Sequence, residues 1–336
     1  MALADLALSR SRLHKIGDDR ATPGLLERVL GEPSTVILRV LDGRARLRDG
    51  DGPPVLHLLG GDEAVGLLDR LGGPAAAAAG GADPLAGPVP VLLGRFPEGG
   101  PRAGAAVVAL LGGPDEGPDG TVGGTTARGR WSDLREVGAL LDDTDAGALT
   151  EAVALEHWHR THRRCPRCGG PTRPSAAGHE RVCDADGSTH HPRHDPAVIM
   201  TVSGPDDRLL LGHQGRWPEG RFSAFAGFVE PGESLEQAVA RELWEEAGVR
   251  VSAAEYLGSQ PWPFPASLML AFHVTTEDEH ARPDGTEITE TRWFTREGLA
   301  DAVAGGEVTL PPSVSVARRL VERWFGTEIR QEGVWR

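Results

Sequence analysis

The sequence of 336 residues lacks an uninterrupted apolar run long enough to cross a lipid bilayer. A membrane-spanning helix needs about 20 predominantly apolar residues in succession. The start of the chain also lacks the basic opening and apolar core of a signal peptide, because Asp5 interrupts a short apolar run. These absences predict a cytoplasmic protein with no membrane partner.

Cysteine is scarce, with three residues in the whole chain. Cys165, Cys168 and Cys183 lie within 19 residues of one another. So few and so crowded cysteines do not suit a disulfide framework. They indicate a metal site in a reducing compartment.

Positive charge is in deficit, with 35 Lys and Arg against 49 Asp and Glu and a net charge of −14. Broad, sequence-independent affinity for nucleic acid comes mainly from Lys and Arg that neutralise phosphates, so this balance argues against it. An acidic enzyme acting on an anionic substrate needs positive charge where the reaction occurs. A divalent metal held by carboxylates supplies that charge.

The chain is longer than one average domain, and its length predicts two domains or two plus a small insert. Residues 1–130 show short apolar runs between Gly, Pro and Asp turns, which indicates a β-rich N-terminal domain without a catalytic constellation. Residues 131–160 are expected to form a connecting helical segment, with a helix from Asp145 to about His159 and Asp145 as its cap. Residues 161–195 hold the cysteines, and residues 196–336 form a third region.

The third region alternates strand-like and helical patterns, which predicts an α/β fold with a mixed sheet. A C-terminal amphipathic helix is expected over 313–325. The expected strands are Ala197–Val202, Arg208–Leu211, Phe222–Val229, Leu268–Val274 and Thr291–Phe294.

A long helix is predicted between Ser234 and Ala247. Ser234 and Gln237 form a capping box at its start, and Gly248 suits a left-handed position at its end. Its first turns carry an apolar stripe of Leu235, Ala238 and Val239, which suits the core.

Three acids continue that stripe. Glu242, Glu245 and Glu246 stand at i, i+3 and i+4, so they project from one side of the helix. A solvated acidic face is the plain alternative. The continuation from apolar to acidic favours carboxylates at the edge of a buried surface, where ions must be paired or must coordinate metal.

The segment from Gly227 through Glu233 to Arg241–Val249 resembles the Nudix box at every specified position. The resemblance implies a Nudix α/β/α sandwich over 196–336, preceded by a zinc-ribbon-like insert and the β-rich domain. It also implies that Glu242, Glu245 and Glu246 are catalytic and hold Mg²⁺ or Mn²⁺. Water then attacks phosphorus, while the metal activates it and neutralises charge on the phosphate oxygens.

The substrate is indicated by the segment from Ser259 to Met269, a proline-spaced loop that presents Trp262 and Phe264. Such a loop suits recognition of a flat heterocycle, and the alternative is a buried aromatic corner of the fold. The segment resembles the SQPWPFPxS array of NADH pyrophosphatases of the NudC type.

That resemblance implies further site residues. Ala226, through its carbonyl, and Glu287 join the catalytic metal ligands, and Phe228 stacks on the nicotinamide. The remaining substrate contacts that the resemblance implies are Gln260, Pro261, Trp262, Pro263, Phe264, Pro265, Ala266, Ser267, Ala317 and, less directly, Arg135, with His191 standing where the family has Tyr.

The cysteines make three quarters of a zinc ribbon, for which four N or S ligands are expected. Asp186 stands where the family has its fourth cysteine. His190 is slightly favoured over Asp186 as the fourth zinc ligand, because imidazole is the commoner partner of thiolates. Three free thiols in a ribbon held by packing alone remain the alternative.

The resulting hypothesis is an NAD(H) diphosphatase that hydrolyses NADH, and less efficiently NAD⁺, to the nicotinamide mononucleotide and AMP. The family also implies removal of NAD caps from RNA and a homodimer. Arginines near the cysteines would favour RNA, whereas the net charge disfavours a long RNA groove. The alternative hypothesis belongs to a different functional class. It is a non-catalytic nucleotide sensor, or a zinc-ribbon binding protein with a relic Nudix domain.

Overall fold

The computed structural model describes residues 3, 6–78, 87–112, 121–122, 125–126 and 130–331. The chain divides into two compact units. The N-terminal unit comprises Arg10–Arg193 and Pro263–Ala266, and the C-terminal unit comprises Met1–Ser9, His194–Trp262 and Ser267–Arg336. The four-part division expected from the sequence stays a prediction. No helix in the described ranges is both long enough and apolar enough to cross a membrane.

The N-terminal unit contains a six-stranded mixed sheet with helices on both faces and a small three-stranded ribbon sheet. Its elements are a 3-10 helix at Asp18–Ala21, α1 (Leu25–Leu30), β1 (Val36–Leu41), β2 (Arg44–Arg46), β3 (Leu58–Leu59), α2 (Asp62–Arg70), α3 (Pro74–Ala78), β4 (Val89–Arg95), β5 (Ala106–Leu111), β6 (Thr121–Val122), β7 (Thr125–Thr126), β8 (Trp131–Asp133), α4 (Leu134–Val137), α5 (Asp143–Thr161), β9 (Thr172–Ser175), a 3-10 helix at Ala176–Gly178, β10 (Glu180–Cys183) and β11 (Thr189–His190).

The helix α5 differs from its prediction at its start. Asp142 caps it, by accepting a hydrogen bond from the backbone N–H of Asp145. Asp145 lies inside the first turn, buried, where its Oδ2 accepts from the backbone N–H of Leu56 at 2.8 Å. The expected cap was therefore wrong by three residues, because Asp145 satisfies a long-range backbone donor that local pattern does not reveal.

The C-terminal unit is an α/β/α sandwich around a mixed sheet, as predicted. Its strands and helices are β12 (Asp195–Ser203), β13 (Leu209–Gln214), β14 (Phe225–Phe228), α6 (Leu235–Ala247), β15 (Ala253–Trp262), β16 (Ser267–Thr275), β17 (Ile288–Phe294), α7 (Arg296–Ala304) and α8 (Val316–Phe325).

The two faces of this sheet follow from the two-residue alternation of strand β12. Val198, Met200 and Val202 face a core cluster that includes α6. Ile199, between them, faces the opposite cluster with Leu320 of α8. The central strand is thus buried on both sides, which explains why its sequence is almost continuously apolar.

The large sheets of the two units share one strand order. The order is β4-β5-β1-β2-β8 with β3 paired to β1 in the N-terminal unit, and β15-β16-β12-β13-β17 with β14 paired to β12 in the C-terminal unit. In each sheet one pair is parallel, β1 with β5 and β12 with β16. Helix α2 occupies the chain position that α6 occupies in the second sheet, but its last turn, Leu67–Arg70, carries no glutamate. The three glutamates of α6 therefore have no glutamate counterpart in the last turn of α2.

Candidate active site and zinc cluster

Helix α6 positions the acidic cluster, and its predicted ends are confirmed. Ser234 and Gln237 form the complete capping box, and Gly248 ends the helix in the left-handed conformation. Ala238, Val239 and Leu243 are fully buried in the core against the sheet. The hydrophobic face thereby fixes which way the glutamates of the last turns point.

The three glutamates differ in their surroundings. Glu246 is 5% exposed, and Glu242 is partly buried. Glu245 is more exposed and lies 3.1 Å from Arg241 Nη1. Within the described residues, Glu246 Oε2 is buried without a hydrogen-bond partner, whereas the backbone N–H of Ala226 bonds the same carboxyl group.

The burial of Glu246 has an electrostatic consequence. Desolvation, followed by the negative charges of Glu287 and Glu242, raises the pKa of Glu246 to about 8. Burial likewise raises the pKa of Glu242, although the hydrogen bond from Arg241 opposes the change. A buried carboxylate beside two further acids is the arrangement in which a divalent cation offsets both desolvation and repulsion.

Gly227 on β14 makes room for Glu242. A Cβ atom at position 227 would lie 1.8 Å from the Glu242 carboxyl carbon. Strand and helix approach so closely here that any side chain at this position would displace the glutamate. The first glycine of the motif is therefore required by the packing of the carboxylate, rather than by its own backbone angles.

Arg241 joins the helix to the segment that precedes it. Its Nε and Nη2 donate to both oxygens of Glu233, at 2.6 and 2.8 Å. Nη2 also donates to the carbonyl of Phe228 at 2.8 Å, and Nη1 donates to Glu242 Oε1 at 2.8 Å. The two bonds from Arg241 to Glu233, together with the bond from the backbone N–H of Glu230, lower the pKa of Glu233 to about 2. Arg241 thus fixes the orientation of Glu242 and of the Phe228 backbone.

Glu287 reaches the cluster from the loop before β17. Asp284 braces that loop, because its carboxylate accepts backbone N–H groups of Thr286, Glu287 and Ile288. The backbone N–H of Asp284 in turn donates to the carbonyl of Glu246 at 3.3 Å. The sequence did not single out Asp284, whose only signal was an Asp followed by Gly in a turn.

The predicted aromatic loop is a β-hairpin, and its first strand, β15, is one that the sequence pattern did not predict. Ser259–Trp262 belong to β15 and pair with Ser267–Leu270 of β16. Only Pro263–Ala266 connect the strands. Pro261 lies within β15 and not in a loop, because β15 is an edge strand, where a missing N–H is tolerated.

Gln260 is fully buried at the start of this array. Its Oε1 accepts from the backbone N–H of Leu8 at 3.3 Å, and its Nε2 donates to the carbonyl of Val314 at 3.0 Å. Ala317 is also buried, in the core cluster of α8, and its N–H donates to Ser315 Oγ. The side chains of both residues are thus engaged by the protein, and their expected substrate contacts stay predictions.

Most of the other residues expected to contact substrate are more accessible. Phe228 is 59% exposed. Pro261, Trp262, Ala266 and Ser267 are partly buried, Pro265 is exposed and Pro263 is buried. In the N-terminal unit, the guanidinium of Arg135 lies 4.1 Å from the ring centroid of Phe264. Arg135 and Phe264, two substrate contacts that the family resemblance implies, are therefore neighbours.

The second cluster lies in the ribbon of the N-terminal unit. Ligand atoms of Cys165, Cys168, Cys183 and Asp186 all lie within 4.8 Å of one another, and the cysteines are free. Cys168 Sγ and Cys183 Sγ are 3.5 Å apart, and Cys165 Sγ lies 3.7 Å from Asp186 Oδ2. Tetrahedral zinc with Zn–S bonds of about 2.3 Å places sulfurs about 3.8 Å apart, so the set fits zinc.

Asp186 is oriented toward the thiols by Ser188. The backbone N–H and Oγ of Ser188 both lie close to Asp186 Oδ1, at 2.9 and 2.5 Å, which leaves Oδ2 on the cysteine side. His190 Nε2 lies 3.2 Å from Ser188 Oγ, outside the four-residue group. His191 is exposed, with Nδ1 3.7 Å from Glu180.

Three family models match consecutive parts of the chain. A NUDIX domain model matches residues 193–311, and the NADH pyrophosphatase zinc ribbon domain matches residues 160–190. The NADH pyrophosphatase-like rudimentary NUDIX domain matches residues 48–158. The last match accords with the strand order that the two large sheets share.

Curated relatives are similar over most of the chain. A protein of Mycobacterium bovis described as NAD-capped RNA hydrolase NudC is 39% identical over 329 residues, which are 94% of this chain and 95% of the relative. Human NAD-capped RNA hydrolase NUDT12 is 41% identical over 200 residues, 55% of this chain and 43% of that protein. A solved NUDIX hydrolase from Nitrosomonas europaea is 24% identical and covers 51% of this chain and 98% of its own, with a TM-score of 0.38.

Proposed function

This chain belongs to the NADH pyrophosphatases of the NudC type, a family of Nudix hydrolases, and we propose that it hydrolyses NADH and NAD⁺. One P–O bond of the pyrophosphate breaks, the oxygen of water is added to phosphorus, and the products are the nicotinamide mononucleotide and AMP. The observation that carries this proposal is the buried, unpaired oxygen of Glu246 beside Glu242 and Glu287 in the C-terminal unit.

The donors of this cluster suit a hard divalent cation. We propose that Glu242, Glu245, Glu246 and Glu287, with the carbonyl of Ala226, hold Mg²⁺ or Mn²⁺, because both ions favour carboxylate and carbonyl oxygens. When bound, the cation lowers the pKa of water and neutralises charge on the phosphate oxygens. Arg241 supports this function by holding Glu242 in place, and Glu246 is buried beside it.

Phe228 is proposed to stack on the nicotinamide ring. Its side chain is exposed, while its carbonyl is fixed by Arg241, so a ring is presented to solvent from a rigid strand. Trp262, Phe264 and the neighbouring Pro261, Pro263 and Pro265 are proposed to contact the dinucleotide, as the family resemblance implies.

Phe228→Ala should raise the KM for NADH by about three- to tenfold with little change in kcat, since an aromatic contact contributes about 0.5–1.5 kcal/mol. Trp244→Ala is the matched control. Trp244 is an aromatic residue on α6 of similar exposure, 50%, and no contact with the substrate is proposed for it. Steady-state kinetics with NADH measures both. An unchanged KM in Phe228→Ala, or an equal rise in both variants, contradicts the stacking role.

NAD-capped RNA is a second candidate substrate, favoured by the composition of the ribbon. Residues 160–194 contain seven arginines against three acids in a chain whose net charge is −14. Arg163, Arg164 and Arg167 are exposed there. Initial rates on NADH and on NAD-capped RNA at one salt concentration separate the two. A preference for RNA that falls steeply with salt would identify phosphate contacts beyond the cap.

Zinc is proposed in the ribbon, with Asp186 as the fourth ligand. The geometry supports Asp186 rather than His190, because only Asp186 has a ligand atom within the cysteine group. Its second oxygen is occupied by Ser188, which is the kind of outer hydrogen bond that orients a metal ligand.

Asp186→Ala should weaken zinc binding by about tenfold or more, whereas His190→Ala should leave it near that of the unmodified protein. Asp186→Cys should slow the release of zinc, because it completes a set of four thiolates. Zinc content and the rate of zinc transfer to a chromogenic chelator measure these effects. Retention by Asp186→Ala together with loss in His190→Ala would reverse the assignment.

A homodimer is proposed, as the family resemblance implies, and the cytoplasmic location expected from the sequence stays a prediction. Light scattering from the purified protein tests the oligomeric state. A monomeric mass would contradict the proposed homodimer.

A further inference from the structure

Gln214, at the end of β13, contacts the glutamate that arrives from the loop before β17. Its Nε2 donates to Glu287 Oε1 at 3.0 Å. The register of β13 with β17 shifts between His213 and Gln214. Such bulges redirect a side chain, and here the redirected side chain is the one that meets Glu287.

The orientation of the Gln214 amide is set by a third residue. Arg216 Nε donates to Gln214 Oε1 at 2.8 Å. Because an arginine Nε can only donate, it fixes the carbonyl oxygen of the amide on its own side. The NH₂ group of Gln214 must then face Glu287.

Glu287 needs such a donor more than an ordinary surface glutamate does. Its side chain is exposed, and its charge is repelled by Glu246 and Glu242. Without restraint, the side chain would swing toward solvent when no cation is present. A neutral donor on one oxygen holds the carboxylate near the cluster while its other oxygen remains available.

We propose that Gln214 is a positioning residue for the divalent-cation site, acting through Glu287, and that Arg216 selects the productive orientation of its amide. The inference rests on the proposed function, in which Glu287 is a cation ligand. It adds two residues that lie outside the Nudix box and outside the aromatic array. Their role is to organise the site before the cation arrives.

The test is a double-mutant cycle with Mn²⁺ as the probe. Gln214→Leu should weaken Mn²⁺ binding, measured by calorimetry or electron paramagnetic resonance, by about tenfold, the usual effect of losing an outer hydrogen bond to a ligand. In a Glu287→Gln background the same substitution should have almost no further effect, because the two residues act together. At saturating Mn²⁺, kcat for NADH should stay within about threefold of the unmodified protein, since the site is again filled.

Gln331→Leu serves as the control for lost structure. Gln331 bonds the backbone of Leu310 in the same unit, and its removal should lower thermal stability without changing Mn²⁺ affinity. Arg216→Lys should weaken Mn²⁺ binding less than Gln214→Leu does.

Two results would overturn the inference. One is Mn²⁺ affinity in Gln214→Leu equal to that of the unmodified protein. The other is a loss of Mn²⁺ affinity from Gln214→Leu that is equally large in the unmodified protein and in the Glu287→Gln background. That result would indicate a structural role for Gln214. Failure of the unmodified protein to bind Mn²⁺ or to hydrolyse NADH would instead reject the proposed function itself.

Discussion

Glu246→Gln should abolish turnover of NADH while the protein remains folded. Losing an outer partner of a metal ligand costs 10- to 100-fold, so loss of a buried ligand should lower kcat by at least about 10²-fold. Gln has the same shape as Glu but carries no charge. One of the two carboxylate oxygens of Glu is replaced by an NH₂ group, which cannot bind a cation. Rates with saturating Mg²⁺ or Mn²⁺ measure the effect.

The same substitution should stabilise the protein in EDTA at alkaline pH. The pKa of Glu246 is raised from its usual 4.5 to about 8, chiefly by burial. The folded state therefore holds one more proton than the unfolded state between these values, and the unmodified protein loses stability as pH rises through that window. The loss is at most about 5 kcal/mol, from 1.36 kcal/mol per pKa unit.

Thermal unfolding in EDTA at pH 5 and pH 8.5 measures this change in stability separately from the loss of turnover. Glu246→Gln should unfold at nearly the same temperature as the unmodified protein at pH 5 and at a higher temperature at pH 8.5. Added Mg²⁺ should stabilise the unmodified protein and have little effect on the variant. Full hydrolytic activity in Glu246→Gln would reject the role assigned to this glutamate.

Gly227→Ala should reduce activity about as severely, although it removes no catalytic group. The new methyl would lie 1.8 Å from the Glu242 carboxyl carbon, which is too close for two atoms that are not bonded. Either Glu242 must leave the cluster or β14 must shift. Misplacing a group by about 1 Å can cost about 10²-fold in rate. Kinetics at several Mn²⁺ concentrations should show loss of both kcat and cation affinity.

Gly52→Ala is the matched control, because a Cβ there meets nothing within 4 Å. It should behave as the unmodified protein in both assays. Normal activity in Gly227→Ala would show that Glu242 is not held where the structure places it, and would remove Glu242 from the proposed ligand set.

The acidic helix was predictable because its determinants are local. A capping box, an apolar stripe and a terminal glycine lie within fifteen consecutive residues, Ser234–Gly248, and each has one favoured structural outcome. The burial of Glu246 and the exposure of Glu245 were not predictable, since adjacent positions on one side of a helix differ only by what packs against them.

The supporting residues were not predictable because they act over long sequence separations. Gln214 meets Glu287 across 73 residues. Gln260 meets Leu8 across 252 residues, which assigns a buried structural bond to a residue expected to face substrate. No local periodicity records such pairings, and they follow only from the register of the sheet.

The ribbon shows the same limit in a smaller space. Sequence favoured His190 from the general preference of zinc sites for imidazole. The turn after β10 instead directs Asp186 to the thiols, and Ser188 holds it there. Asp186 and His190 are four residues apart, and the geometry of the turn decides which of them reaches the thiols. The general preference of zinc sites for imidazole carries no information about that geometry.

The central claim is that the acidic cluster of the C-terminal unit holds a divalent cation and opens the pyrophosphate of a nicotinamide dinucleotide. Chromatographic identification of the products from NADH, with Mg²⁺ or Mn²⁺ and with EDTA, tests it most directly. We predict equal amounts of reduced nicotinamide mononucleotide and AMP with either cation, and intact NADH in EDTA. Intact NADH in the presence of both cations, or release of free nicotinamide instead, would contradict the account.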